Sequence, residues 1–124
     1  MRMRKSRVQT YHHRKKISKK DAEGSSYVEY ESATEFQGEM WPAGGNIQAE
    51  MYGNRLPYIR NVRINEKYEI TVDEKGIVHY ICENGMDIVE DDGICLYASS
   101  DSLPDYKIIS IKPYRFLQME VEKL

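Results

Sequence analysis

Alternation with a period of two residues runs through most of this chain, and nothing else in the sequence restricts its possible folds so strongly. Thr34, Phe36, Gly38 and Met40 fall on one side of a run whose other side is Glu35, Gln37 and Glu39. Leu117, Met119 and Val121 alternate in the same way with Gln118, Glu120 and Glu122. Successive side chains of a strand point to opposite faces, so each run reads as a strand with one face in a core. Tyr68–Val72 and Ile77–Ile81 form a further pair around Asp73-Glu74-Lys75-Gly76, a hairpin turn that places Gly76 in the left-handed position. Asn84-Gly85 and Asp92-Gly93 are two more turn signals at short intervals. Pro104 and Pro113 bracket Tyr106–Ile111, as expected of residues that cannot donate to a ladder and sit at strand ends.

The residue types agree with the pattern. Ile and Val together number 19 against 5 Leu and 5 Ala, and there are 10 Tyr, a mixture suited to pleated, half-buried surfaces rather than helices. With 124 residues, 40% of them apolar, the chain is long enough for one domain with a modest core. The expected fold is mainly all-β. It is a small antiparallel β-barrel of about six or more strands, formed by residues 1–124 as a single domain, with a long central loop and possible room for one short helix. The longest apolar run, Ile94–Ala98, is far too short to span a membrane, and no apolar segment follows the basic start as a secretory leader requires. Two cysteines, Cys82 and Cys95, are too few for a disulfide framework and read as free thiols in a reducing compartment.

The middle of the chain departs from the pattern. Trp41-Pro42-Ala43-Gly44-Gly45-Asn46 interrupts the alternation, and Asn46 is placed to cap a short helix through Met51 that closes at Gly53. An extended reading also stands, because Ile47, Ala49 and Met51 alternate. Tyr52–Asn65 shows no clear period, so residues 42–65 are expected to leave the barrel as a loop or short-helix excursion.

A net charge of −2 hides a strong asymmetry. Residues 1–20 hold nine basic side chains and no acid, whereas the remainder holds nine basic against twenty acidic, a net of −11. A basic arm on an acidic body suits polyanions or docking against the acidic surface of a neighbouring copy. Val8, Thr10 and His12 alternate with Gln9 and Tyr11, which gives this arm strand character.

A search for catalytic or ligand-holding patterns leaves no candidate. His12 and His13 are adjacent, so a strand points them to opposite faces, and neither has a convergent cysteine or carboxylate spacing. Glu90-Asp91-Asp92-Gly93 fails the calcium-loop template, which would put Ile88 and Ser99 where carboxylates are needed. Ala43-Gly44-Gly45-Asn46 lacks the Lys-Ser/Thr ending of a phosphate loop. The expectation is a non-enzymatic protein with no cofactor and no metal.

Four places in order along the chain carry a family likeness. They are Lys19-Lys20-Asp21-Ala22-Glu23-Gly24 after the opening strand, Met40-Trp41-Pro42-Ala43-Gly44-Gly45, Ala49–Leu56 with Tyr58-Ile59-Arg60, and Asp91–Tyr97 followed by Pro104–Ile111. In this order the chain from Arg7 to Leu124 resembles the tailed-phage head–tail joining family, the small adaptor, head-completion and stopper proteins. The basic start is heavier than that family's pattern. The resemblance implies a small β-barrel with a long mobile loop, working in a ring of copies stacked below the portal. Its partners would be portal or adaptor ring proteins and tail proteins, with transient contact to packaged DNA. It would be a virion component assembled in the bacterial host cytoplasm, and would help close the DNA exit channel. Contact residues expected from charge and loop placement are Arg14, Lys15, Lys16, Lys19, Lys20, Tyr52, Arg55, Tyr58 and Arg60. A tail-completion protein remains open as an alternative, as does a small-barrel nucleic-acid-binding protein that uses the basic arm.

Overall fold

A computed structural model describes residues 8–124. Its strands are β1 (Gln9–Arg14), β2 (Lys16–Lys20), β3 (Ser26–Tyr30), β4 (Thr34–Pro42), β5 (Ile59–Ile64), β6 (Tyr68–Val72), β7 (Val78–Cys82), β8 (Asp87–Ile88), β9 (Gly93–Cys95), β10 (Tyr106–Pro113) and β11 (Leu117–Lys123). One helix, α1 (Gly45–Tyr52), runs into a 3-10 segment, Gly53–Tyr58. Six strands close into an antiparallel barrel in the order β1-β4-β5-β11-β10-β9. Closure leaves the barrel itself without an unpaired edge.

The alternation read from the sequence sets the barrel interior. Tyr11, Phe36, Val62, Ile64, Ile94, Tyr106, Ile108, Leu117, Met119 and Val121 are buried there in one cluster. Gly38 is needed at its place, because a Cβ would lie 2.6 Å from the carbonyl oxygen of Arg63. The interior is packed with side chains, as expected of a barrel of this size.

Two additional sheets interrupt the barrel. β2 and β3 form a two-stranded ribbon between β1 and β4, and β6, β7 and β8 form a three-stranded sheet between β5 and β9. Antiparallel pairing puts the end of β1, the start of β4, the end of β5 and the start of β9 at one end of the barrel, so both sheets leave from that end. Cys82, Met86 and Ile88 join the core cluster and cover the barrel there. α1 and the 3-10 segment connect β4 to β5 at the opposite end, beside Glu122 near the end of β11.

From Gln9 onward the basic stretch is folded into β1 and β2, in keeping with its strand character; residues 1–7 lie outside the described part. Three expectations need correction. The central excursion ends at Tyr58, because Ile59–Ile64 is a barrel strand paired with both β4 and β11. Arg60, Asn61 and Arg63 interrupt its apolar pattern, and Asn61 is buried under α1 rather than in the barrel interior. Asn46 does not cap α1: the cap position is Gly44, whose N–H donates to Gln48 Oε1 at 3.0 Å, while the close at Gly53 (φ 52°) is as expected. At the acidic turn the left-handed residue is Asp91 (φ 74°), whereas Gly93 is in β9, where Pro104 leaves no room for a Cβ.

Candidate interaction surfaces

The sequence-derived contact residues divide between the two ends of the barrel. At the end with the two sheets, most of the basic residues are occupied within the chain. The Arg14 guanidinium donates to the carbonyls of Glu31 and Ser102 at 2.8 Å and of Tyr30 at 3.2 Å, tying β1 to the β3–β4 link and the β9–β10 loop. Lys15 pairs with Asp87 at 3.2 Å, and Lys19 with Glu29 across the ribbon at 2.6 Å. The side chains of Lys16 and Lys20 have no ion partner among the described residues, and Lys20 is exposed.

Every residue from 18 to 29, and every residue from 69 to 78, is exposed on both faces of its ribbon. Tyr27 and Val28 lie open in the first, and Ile70, Val72, Ile77 and Val78 in the second. Two-stranded ribbons are marginal in water without a covered apolar face. The β6–β7 ribbon is pinned electrostatically instead. His79 Nε2 lies 2.9 Å from Asp73 Oδ2 in the turn, and Nδ1 lies 2.9 Å from Asp87 Oδ1 on β8. Asp73, and then Asp87, raise the imidazole above its ordinary pKa, and the same contact lowers Asp73 below the usual carboxylate range.

At the other end α1 lies against β5 and β11. Its inner side is polar: Gln48 Nε2 donates to Asn61 Oδ1 at 2.7 Å and to Glu120 Oε2 at 2.8 Å. Tyr52 also hydrogen-bonds Glu120; burial, then that carboxylate, pushes its hydroxyl up to about 12. Glu120 is fully buried. The Lys112 ammonium stands 3.4 Å from Oε1, within ion-pair range but out of hydrogen-bond alignment. Burial raises the Glu120 carboxyl, but Gln48, Tyr52 and Lys112 outweigh it and hold it below the usual value. The outer side of the same helix carries Ile47, 76% exposed, and Met51, 59% exposed. Arg55 makes a bidentate pair with Glu122 at 2.7 Å and lies over the Tyr52 ring, while Tyr58 is exposed. Arg60 donates to the carbonyls of Pro57 and Ile59.

Sequence reasoning missed the Glu120 cluster because Glu120 sits on the polar stripe of β11, which period-two patterning assigns to solvent. It also missed the buried His13–Asp92 pair at 2.8 Å, which ties β1 to the β8–β9 turn. Asp92 further accepts from the N–H groups of Lys16 and Val89 at 3.0 Å, so its carboxylate is a structural clamp. Both cysteines are free and buried, and burial pushes the Cys82 thiol up to about 11, away from reactivity. No helix among the described residues is long and apolar enough to cross a membrane. No protein-family model, curated protein or solved structure matches the chain.

Proposed function

We propose that this protein is a non-enzymatic structural connector of a phage or prophage virion. It would join the DNA-filled head, on its portal side, to the tail and help close the DNA exit channel. The observation that carries this reading is the two-ended build of the barrel. One end projects ribbons with exposed Tyr27, Val28, Ile70 and Val72; the other presents a helix with exposed Ile47 and Met51. A joining protein needs two chemically distinct surfaces held at a fixed separation, and a closed, filled barrel is a rigid spacer between them. Because the barrel interior is packed, a DNA channel in this reading runs between copies in a ring rather than through one chain. The resemblance of its motif order to the head–tail joining family supports the same assignment.

Electron microscopy of lysates from the source genome with this gene deleted tests the proposal. Separate heads and tails, with heads that leak DNA, are the expected result. Stable DNA-filled heads beside free tails would move the assignment to tail completion. Normally joined particles would overturn both.

A further inference from the structure

Among the described residues two unpaired strand edges of opposite charge leave the same end of the barrel. There β6 pairs only with β7. In that ladder Asp73 N–H donates to Ile77 and Glu83 N–H to Lys67, which makes 73/77 and 67/83 the hydrogen-bonded pairs. Antiparallel pairs alternate, so Glu69 and Thr71 turn their backbone groups toward β7, while Tyr68, Ile70 and Val72 turn theirs outward. The same reasoning applies to the first ribbon. Glu31 N–H donates to Lys15 and Asp21 N–H to Ser25, so Lys16, Ser18 and Lys20 direct their backbone groups away from β3. Asp92 already occupies the N–H of Lys16, which leaves Ser18 and Lys20 open.

The charges on these edges are complementary. β2 carries Lys16, Lys19 and Lys20 in five residues, whereas β6 and its turn carry Glu69, Asp73 and Glu74 against one Lys75. Lys16, Lys20, Glu69 and Glu74 have no ion partner among the described residues.

We propose that copies of this chain associate side by side, with the β2 edge of one copy hydrogen-bonded along the β6 edge of the next. The occupant of the β6 edge is thus a second copy of this chain. Strand addition satisfies the outward amides of Ile70 and Val72, and opposite charges on the two edges favour this pairing. The contact joins two different patches on the same end of the barrel, so it is heterologous and can close into a ring of equally oriented copies. It deepens the connector reading by naming the surface through which copies meet, but it can fail or succeed separately.

The test is sedimentation equilibrium of the full chain at low salt, with Lys16→Glu/Lys20→Glu in one variant and Glu69→Lys/Glu74→Lys in another. Each variant alone is expected to associate more than about tenfold more weakly, because like charges then face each other. Mixing the two variants should restore association, since each contact in an alternating assembly again joins opposite charges. Lys16→Gln/Lys20→Gln should fall between wild type and the reversal, and unchanged circular dichroism confirms folding of every variant.

A wild type that stays monomeric up to millimolar concentration would overturn the interface, as would reversals without effect or a mixture that fails to recover. Loss of duplex-oligonucleotide binding in the lysine variant, with association intact, would overturn it and assign β2 to nucleic acid. Failure here with separated heads and tails in the gene deletion removes the interface alone. Restored association in the mixture, with joined particles in the deletion, removes the connector reading alone.

Discussion

The β5–β11 pair and the β6–β7 ribbon are built from similar residues yet end in opposite environments. β11 and β6 each alternate apolar with polar side chains, and each lies in a regular antiparallel ladder. In β5 and β11 both faces are covered, the inner by the barrel core and the outer by α1, so that even Asn61 and Glu120 are buried. In the ribbon neither face is covered between residues 69 and 78. Alternation therefore identifies a strand and its two faces, but what covers those faces is decided by distant segments or by another molecule.

That contrast sets the order of effects expected from substitution. Phe36→Ala should cost about 3–5 kcal/mol in urea unfolding, through lost burial and the cavity left in the barrel. A cost near zero there would mean that the barrel core does not hold the fold.

Glu120→Ala comes next, at about 2–3 kcal/mol in the same measurement, because it strands Gln48, Tyr52 and the Lys112 ammonium. The folded pKa of Glu120 is depressed, so its contribution is present above the ordinary Glu value and lost as pH falls through the depressed one. Nuclear magnetic resonance of the α1 amides across an acid titration should show the helix loosening over that range, and unchanged amides would remove the carboxylate anchor.

His79 acts in the opposite direction. Its raised folded pKa makes its contribution complete below the ordinary His value and lost as pH rises through the raised one. The depressed Asp73 bounds the other side, with its contribution lost as pH falls through its own folded value. Amide exchange in the β6–β7 ribbon, corrected for intrinsic rate, should therefore accelerate above the His79 pKa. His79→Gln should abolish this acceleration while leaving Met119 unaffected.

The smallest effect on the isolated chain is expected from Val72→Thr, within about 0.5 kcal/mol of wild type, since the side chain is 63% exposed. A larger loss would show that the ribbon is covered in the free protein.

The barrel was legible in the sequence wherever one face of a strand meets the core. Phe36 and Gly38, and Leu117, Met119 and Val121, are buried as their spacing implied. β5 was not legible, because Asn61 is buried on its outer face under a helix, and Arg60 and Arg63 further break its apolar pattern so that the run reads as loop. Of the contact residues, Lys20 and Tyr58 are exposed as a surface requires, whereas Arg14, Lys15 and Arg55 are taken up by carbonyls or carboxylates of their own chain. Charge counts along a sequence miss such pairing, since Asp87 and Glu122 approach these cations only after the strands have paired.

Residue-resolved hydrogen exchange along β6, compared between dilute and associated protein, tests most directly whether the β6 edge is where copies meet. In the dilute chain Glu69 and Thr71 should exchange slowly and Ile70 and Val72 fast, because only the first two amides face β7. On association Ile70 and Val72 should become protected, erasing the alternation. Association that leaves those two amides as fast as before would contradict strand pairing between copies and place the contact elsewhere on the molecule.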